Sequence, residues 1–470
     1  MYLKHKPKPV FLQGEIDTAT PEALFQQLDN KIKGLFDLFN LKTLLHRAGI
    51  QKSQGFSAYD LLYLWILHPF FKKSRTVFWS HEDIRNKIQA HKDTFYRFVG
   101  KENFNWRNLI YRLFLQIQRH LSSVPHEERL LIADSTIIQK TGHHIELVSR
   151  IYDYVSKKHV LGFPTLFLGY FDGRSFFPLD FAISATKNRP NNQEKNTDKR
   201  SSGYQRRLEA KNKTTDTLIS MIQKAYQRGI EASYVLFDSW FAHDIVMKKI
   251  LDIGYHVICR CKIGKVKYRY QGHDYTAKQL FSKVMKKRIK WNPELGFYAA
   301  SIRVNLPHTG TVKLVFCQPE RRKKFALFLS TDLDLEVTAI LRKYSNRWSI
   351  EMFFRDAKQH LGLGKEQNRD FDAIIAHQSF LIIRYLLLSF LIRHSSGREP
   401  LGPLFESISD QIVQATIFSR LWKFFKHLLL MSSQVLFSDN ERHYINKLID
   451  YMDDIVYTPQ NNLLLEGAKV

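Results

Sequence analysis

The sequence predicts an α/β fold with a mixed sheet at its centre, and three observations lead to this prediction. From about residue 128, short apolar runs replace the helical periodicity of the preceding part of the chain. Stretches of helical periodicity, at 214–229 and 243–254, separate these runs. The 470 residues are 44% hydrophobic and 25% charged, which is typical of a globular protein with at least one sizeable core.

The first 125 residues are expected to be mostly helical. Apolar residues recur at helical spacing in FSAYDLLYLWILHPFF and in NWRNLIYRLFLQIQRHL. Between them, KDTFYRFVGKENFNWRN has the texture of a helix-turn-helix, and a plain helical bundle is the alternative.

The central segment predicts alternating strands and helices. RLLIAD is expected to be a strand ending at Asp134, and PTLFLGYF and SFFPLDFAIS flank Asp172 and Gly173 as a hairpin. The helix at 214–229, the run SYVLF ending at Asp238, the helix at 243–254 and the run YHVICR follow. This order is that of a ribonuclease-H-like mixed sheet with helices on its faces.

Residues 262–330 interrupt this plan with four strand-like runs and predict a β-rich insertion: KVKYRY, GFYAASIRVNL, TVKLVFCQ and KFALFLS. A helix at 338–361 then returns to the main domain, and apolar helix 371–394 and further helices extend to about 457. The sequence predicts a helical N-terminal region (1–125) and a catalytic domain in two segments (126–261 and 331–395). The β-rich insertion (262–330) separates these segments, and a helical C-terminal region (396–470) follows.

The charge balance points to a polyanionic partner. Lys and Arg number 71 against 45 acids, which gives a net charge of +26. Nucleic acid is the first candidate and an anionic membrane surface the second. No membrane association is expected, because MYLKHKPKPVFLQGE has no apolar signal region and polar residues interrupt the most apolar segment, 371–392.

The cysteine content fits a reducing cytoplasm, since three cysteines cannot form a disulfide framework. A zinc site is not expected, because Cys259 and Cys261 share one face of a strand while His256 points away.

One segment, 184–213, is strongly basic, with nine Lys or Arg against three acids and few large apolar residues. We expect a solvated, mobile loop. It is a candidate contact for a phosphate backbone through Lys199, Arg200, Arg206 and Arg207.

Three carboxylates are candidates for a common site. Asp134 and Asp238 each follow an apolar run, and Glu351 lies on the helix at 338–361. Three converging carboxylates repel one another unless a hard cation neutralises them, which favours Mg²⁺, with Mn²⁺ as the alternative. Taken singly, each Asp could instead be a turn or helix-cap residue, and Glu351 could pair with Arg347 or Arg355.

The stretch YSNRWSIEMFFRDAKQHL combines an apolar stripe with a polar line. Tyr344, Arg347, Glu351 and Lys358 fall within roughly a 60° arc of an ideal helix. The apolar residues beside them have core-facing spacing: Ile350, Phe353, Phe354, Ala357 and Leu361. The polar line is therefore interpreted as facing a nucleic acid rather than bulk water.

Three sequence blocks resemble the conserved blocks of DDE transposases of bacterial insertion sequences: IADST at 132–136, FDSWF at 237–241, and YSNRWSIEMFFRDAKQHLG at 344–362. The third block is similar to the branch with a Tyr-Arg-Glu-Lys motif and a β-rich insertion before the catalytic Glu. The resemblance covers roughly residues 128–365.

The resemblance implies that Asp134, Asp238 and Glu351 bind two metal ions, and that Tyr344, Arg347 and Lys358 contact the terminal phosphates of the transposon strand. It implies cleavage of double-stranded DNA at the ends of the element, commonly through a hairpin, and joining of the 3′-hydroxyl to target DNA. It also implies a dimer or larger synaptic complex and a bacterial, cytoplasmic and nucleoid-associated protein.

Several neighbouring residues have two interpretations. Trp291 either holds a flipped base, as family members do with an aromatic residue of the insertion, or belongs to the core. Trp240 and Trp348 are expected to pack and fix the site. His243 and Arg355 either contact DNA or lie on a helix surface.

Two other functions are compatible with the same residues: a domesticated DNA-binding protein that no longer cleaves, and a metal-dependent nuclease on the same fold. From position and composition, the N-terminal region is expected to recognise DNA ends and the C-terminal region to make subunit contacts.

Overall fold

A computed structural model describes residues 21–80, 84–85, 88–121, 124–190, 194–320, 324–394, 401–436, 444, 446–450 and 452. The fold of these residues is mixed α/β, as the sequence predicts. The expectations for the N-terminal 15 residues, and for helices over 437–443 and 453–457, lie outside the described residues.

The first third of the described chain is helical, as predicted. Its helices are α1 (Pro21–Leu38), α2 (Leu41–Arg47), α3 (Ala58–Leu67), α4 (Arg75–Trp79), α5 (Lys92–Val99) and α6 (Trp106–His120). Side chains cap the starts of α3, α4 and α6: Ser57, Ser74 and Asn105 accept hydrogen bonds from the backbone N–H groups of Asp60, Val77 and Asn108, respectively.

The central segment has the predicted alternation, with an added strand and an added helix. Its elements are β1 (Leu130–Gln139), β2 (Ser149–Asp153), β3 (Lys158–Phe171), β4 (Phe176–Ile183), α7 (Ser202–Ala210), α8 (Thr214–Gln227), β5 (Tyr234–Phe237), α9 (Asp244–Ile253) and β6 (His256–Cys261). Sequence analysis missed β2, and it missed α7 because the surrounding segment has few large apolar residues.

The rest of the described chain contains six further strands, with one short α-helix among them, and four α-helices after them. The elements are β7 (Lys267–Tyr270), β8 (His273–Thr276), α10 (Ala277–Lys283), β9 (Lys290–Asn292), β10 (Phe297–Leu306), β11 (Gly310–Gln318), β12 (Ala326–Ser330), α11 (Val337–Ser345), α12 (Trp348–Gln359), α13 (Phe371–His394) and α14 (Leu401–Leu436).

The strands of the described chain form one mixed sheet in the order β2-β3-β1-β5-β6-β12-β11-β10-β7-β8, with β4 paired to β3 and β9 to β10. Strands β1, β5 and β6 are parallel to one another. Strand β12 pairs antiparallel with β6, so the strands of the predicted insertion continue the central sheet.

The β3–β4 hairpin turns where the sequence predicts. Asp172 accepts hydrogen bonds from the backbone N–H groups of Arg174 at 3.0 Å and Ser175 at 2.7 Å. Gly173 has a φ of 87°, in the left-handed region that glycine adopts at little cost.

The chain divides into two compact units. The helical unit contains the described residues of 1–47, 51–98 and 387–470, and the sheet unit contains 48–50 and the described residues of 99–386. Within the helical unit, Trp79 stacks on Phe95 at 3.8 Å and Phe70 contacts Phe405 at 4.8 Å. The predicted domain boundaries remain predictions.

Helix α13 is the one described helix that is long and apolar enough to cross a membrane, with a mean hydropathy of 1.7. In the structure, 89% of its most apolar window is buried inside the protein. The core helix of a globular protein has the same properties, so this helix is weak evidence for a membrane span.

Candidate active site

The first two candidate carboxylates belong to neighbouring parallel strands: Asp134 lies on β1 and Asp238 directly follows β5. The pairing of β1 with β5 runs from Leu130 opposite Tyr234 to Ile132 opposite Leu236. Asp134 and Asp238 each stand two residues beyond the last pair, so they occupy corresponding positions on strands about 4.8 Å apart.

The prediction that a strand ends at Asp134 is wrong. Strand β1 continues to Gln139, because residues 130–139 pair along their whole length with β3, where Asp134 lies opposite Phe167. Asp238, in contrast, directly follows the last residue of β5, as predicted. Asp134 projects from the middle of a long strand at the point where its other neighbour, β5, stops.

Asp134 faces the helix that carries Glu351. Residues opposite each other in antiparallel strands share a face of the sheet, so Asp134 lies on the face of Phe167. Phe167 contacts both Phe353 and Phe354 of α12 at 5.4 Å. Helix α12 therefore covers this face, and the predicted apolar stripe is buried: Ile350, Phe353, Phe354, Ala357 and Leu361.

The polar line predicted on a single helix crosses a break between two helices. Helix α11 ends at Ser345 and α12 begins at Trp348. The backbone N–H groups of Asn346 and Arg347 donate to the carbonyls of Lys343 and Tyr344 at 3.1 and 3.0 Å. These are the i to i−3 bonds of a tight turn, so Tyr344 is not in helical continuity with Glu351.

Arg347 links two of the three carboxylates. Its Nη1 donates to Asp134 Oδ2 at 2.8 Å, and its Nη2 donates to Glu351 Oε1. Burial lowers the pKa of Arg347, but Tyr344 and the two carboxylates outweigh burial and raise it overall. Of the two partners that sequence analysis left open for Glu351, the structure shows Arg347.

The three carboxylates influence one another. Burial raises the pKa of Asp134 to about 6, against the opposing effects of Arg347 and of a hydrogen bond from the N–H of Ser135. The negative charges of Asp238 and Glu351 add to the increase. Asp238 Oδ1 also accepts a hydrogen bond from the N–H of Trp240 at 2.9 Å.

The chemistry of these donors fits a hard divalent cation, because carboxylate oxygens are the ligands that Mg²⁺ prefers. In the described part of the chain, no three His, Cys, Asp or Glu side chains are arranged closely enough to hold a metal ion as they stand. The guanidinium of Arg347 contacts two of the three candidate carboxylates instead.

The remaining members of the polar line lie near the same strands. The Tyr344 ring contacts Phe328 at 4.9 Å, and burial raises its pKa to about 12 although Arg347 opposes this. Lys358 Nζ donates to Thr136 Oγ1 at 2.7 Å. Thr136, two residues after Asp134 and so on its face of β1, was missed by sequence analysis, although the period of two could have identified it.

Three tryptophans near the candidate motifs are exposed. Trp240 is 52% and Trp348 62% exposed, so the expectation that they pack and fix the site is wrong. Trp291 is 51% exposed and contacts Tyr298 at 5.3 Å, which contradicts the core interpretation of this residue. Sequence analysis also missed Lys262, whose ammonium lies 4.7 Å from the Trp240 ring.

Two further candidates have surface positions. The side chain of Arg355 is 47% exposed, and its Nη2 lies 3.5 Å from Asp356 Oδ1. His243 is exposed and precedes the first residue of α9. Both remain accessible to a ligand.

The basic segment 184–213 is not the uniformly solvated loop that its composition predicts. Arg206 and Arg207 lie on α7, are 6% and 3% exposed, and form ion pairs with Asp372 at 2.7 and 3.1 Å. Neither side chain is the solvated surface residue that the composition predicts, because buried acids pair with both. Their role as DNA contacts remains a prediction. Lys199 and Arg200 are exposed, and the Arg200 side chain is 91% exposed.

Two family models match the chain. A model described as "DDE superfamily endonuclease" matches residues 79–278, which include Asp134 and Asp238. A model described as "Transposase DDE domain" matches residues 202–387, which include Asp238 and Glu351. These matches support a DDE transposase family and a nuclease-type enzyme that acts on DNA.

Other comparisons add little. No curated protein matches the sequence. Among solved structures, the chain is similar to a crystal structure of the NurA nuclease from Sulfolobus solfataricus, with 10% identity over 62% of this chain and 92% of that one. The TM-score of 0.24 is too low to support a conclusion about fold or function.

Proposed function

We propose that this protein is a metal-dependent transposase that cleaves double-stranded DNA at transposon ends and joins the 3′-hydroxyl to target DNA. One observation carries the proposal: Asp134 on β1 and Asp238 directly after β5 hold corresponding positions along two adjacent parallel strands, and Arg347 joins Asp134 to Glu351. All three residues lie in the segment covered by the DDE models.

The finer classification belongs to the same proposal. The order of strands and helices supports a ribonuclease-H-like catalytic core, and the Tyr-Arg-Glu-Lys block supports the insertion-sequence branch with cut-and-paste transposition. A homodimeric synaptic complex and a bacterial, nucleoid-associated location follow from that classification.

Asp134, Asp238 and Glu351 would hold two Mg²⁺ ions, with Mn²⁺ as the alternative. Such ions activate an attacking oxygen and stabilise the leaving oxygen of a phosphodiester. Because Arg347 binds two of the carboxylates, their use as metal ligands requires this guanidinium to release at least one of them. The released guanidinium would then be available to bind a phosphate by its fork of donors.

The residues around the carboxylates would bind and orient the DNA strand. Lys358, which is exposed and reaches β1 at Thr136, supplies a point charge for a phosphate. Tyr344 offers a hydroxyl, and exposed Trp291 offers a ring face for a flipped base. Exposed Arg355, Lys199 and Arg200 are additional phosphate contacts in this proposal.

The first prediction concerns Asp134→Asn, assayed with Mg²⁺ and a DNA fragment carrying the element's terminal repeats. We expect end cleavage to fall by at least about 1,000-fold while DNA binding is retained, because a ligand worth several kcal/mol to the transition state is lost. Asp334→Asn, at a side chain that is 99% exposed, is the matched control. Normal cleavage by Asp134→Asn would show that the site is assigned wrongly.

A nuclease without a joining step is the second candidate, favoured by the endonuclease description of one matching model. Pre-cut ends with a free 3′-hydroxyl separate the two functions. A transposase joins them to a target duplex, whereas a nuclease leaves them unjoined. Mg²⁺-independent binding with no cleavage at any metal concentration would instead indicate a DNA-binding protein that does not cut.

A further inference from the structure

A cavity of about 700 Å³ lies within the sheet unit, lined by residues of α6, α7 and α8 together with Asp180 of β4. This volume is within the usual range for pockets that hold small ligands. None of the three candidate catalytic carboxylates lines the cavity.

The cavity lies on the opposite face of the sheet from Asp134. Phe176 and Phe177 are consecutive residues of β4 and so point to opposite faces. Phe176 contacts Phe353 of α12 at 5.7 Å, whereas Phe177 contacts Phe114 of α6 at 5.8 Å. Helices α12 and α6 therefore cover different faces, and the cavity lies on the side of α6.

The lining carries more basic than acidic side chains. Two carboxylates, Asp180 and Glu209, face it, and Arg107 binds both of them. Six basic side chains face it: Arg107, Arg200, Arg206, Lys211, Lys224 and Arg228. Acids outside the lining pair with three of these side chains: Asp198 with Arg200, Asp372 with Arg206 and Glu194 with Lys211. The six basic residues still outnumber the acids that face or pair with them, and this remaining positive charge favours an anion.

Two helix N-termini also meet at the cavity. Asn105 caps the 15-residue helix α6, and Ser201 caps the 9-residue helix α7 by accepting from the N–H of Tyr204 at 3.1 Å. Both capping residues line the cavity. The N-terminus of a helix carries partial positive charge and free N–H groups, which favour a bound anion.

One buried donor of the lining, on Arg206, is unsatisfied within the part of the chain that the structure describes. Arg206 uses Nη1 for the carbonyl of Phe104 at 2.9 Å and Nη2 for Asp372 at 2.7 Å. Its Nε finds no hydrogen-bond partner among the described residues, although Arg206 is only 6% exposed. Burial lowers the pKa of Arg206; Asp372 opposes this, and nearby Arg207 and Arg107 lower the pKa further. A second anion would offset the remaining repulsion between these guanidinium groups.

We propose that this cavity is a second binding site that takes a phosphate group, with Arg206, Arg200 and the first turn of α7 as its ligands. Guanidinium forks and helix N-termini are the donors that suit tetrahedral phosphate oxygens. Two kinds of molecule carry such a phosphate group, a free nucleotide and a DNA backbone, and the experiment below distinguishes them. The cavity is spatially separate from Asp134, because it lies on the other face of the sheet.

Isothermal titration calorimetry of the full chain in phosphate-free buffer tests the proposal, with pyrophosphate, dAMP and duplex DNA as probes. Ser202→Asp places a carboxylate at the cavity wall and in the first turn of α7, where an acid favours the helix and so preserves folding. Thr215→Asp is the matched control, since it adds the same charge to the first turn of α8 at a residue that does not line the cavity.

We expect wild type to bind pyrophosphate or dAMP, and Ser202→Asp to weaken that binding at least about ten-fold while Thr215→Asp leaves it unchanged. The same selective loss with duplex DNA identifies the backbone as the source, whereas a loss confined to the small probes identifies a nucleotide. Absence of binding by every probe, or equal effects of the two variants, overturns the proposal.

Discussion

At the scale of the residue, Arg347 occupies a position for which a divalent cation would compete. Its two donors satisfy one oxygen of Asp134 and one of Glu351, while Asp238 remains outside the fork. Without this guanidinium, three carboxylates that repel one another would face a partly buried space. The stability of the site should therefore depend on which cation is present.

Arg347→Gln is expected to destabilise the metal-free protein by about 1–3 kcal/mol, because buried charges lose their partner. Mg²⁺ should then raise the melting temperature of the variant by more than that of wild type. Thermal unfolding with and without Mg²⁺ measures both effects, and Arg355→Gln on the exposed side of α12 is the control. Equal Mg²⁺ responses of Arg347→Gln and wild type would contradict a metal site here.

Asp372 predicts a pH-dependent component of stability. Although burial raises the pKa of Asp372, hydrogen bonds and charge from Arg207 and Arg206 hold it below its ordinary value of 3.8. The resulting stabilisation is therefore complete above that pH and is lost as the pH falls through the lower folded value.

Asp372→Asn should cost about 3 kcal/mol in urea unfolding near neutral pH, because two buried guanidinium groups lose a charged partner. The difference from wild type should shrink toward the lowest pH at which both proteins stay folded. Asp370→Asn is the control, since Asp370 is more exposed and Asn is as good a helix cap as Asp. A difference that does not change with pH would show that charge is not the cause.

At the scale of the element, the sequence predicted the strands and the helix that carry the three candidate carboxylates, but not their detailed geometry. The apolar period of α12 predicted its buried face, because only burial selects such a pattern. The end of β1 was not predictable from local pattern, since pairing with β3 extends it past Asp134. The turn at Asn346 and Arg347 carries no glycine or proline, so nothing in the local sequence marks it.

Gly169 of β3 provides a test of how β4 supports α12. A Cβ at this position would lie 2.1 Å from the ring of Phe176, which itself packs on Phe353. Gly169→Ala is therefore expected to cost about 1–3 kcal/mol in urea unfolding, because the buried ring must move. Gly34→Ala, with open space around the new methyl group, should be neutral or slightly stabilising.

Reduced DNA cleavage by Gly169→Ala under conditions where it remains folded would indicate that Phe176 positions α12. Wild-type stability of this variant would mean that the Phe176 ring can move aside for a methyl group at no cost in free energy.

At the scale of the whole molecule, the net charge of +26 predicts DNA binding that depends steeply on salt. If six to ten phosphates are contacted, affinity should fall about 10³- to 10⁵-fold between about 50 and 200 mM salt. Fluorescence anisotropy at several salt concentrations gives the slope, and Arg200→Ala should reduce it by about one unit. Affinity that is insensitive to salt would exclude the phosphate backbone as the main contact.

The sequence predicted the α/β class and the central order of strands because alternating apolar runs reflect burial in a sheet. It could not show that β12 pairs with β6, because pairing between distant segments leaves no local signal. For the same reason Arg206 and Arg207 looked solvated, as their acidic partner Asp372 lies more than 160 residues away. The sequence also did not predict that Trp240 and Trp348 are exposed, because large aromatic residues are usually buried.

The hydrogen-bonded continuity from β1 to β10 has a mechanical consequence. Trp291 on β9 is tied by strand pairing, through β10, β11, β12, β6 and β5, to the strand that carries Asp134. Backbone hydrogen bonds hold these strands at a fixed spacing. The sheet therefore fixes the distance between Trp291 and the carboxylates. A DNA strand that binds both Trp291 and the carboxylates would have to change its own conformation to fit this distance.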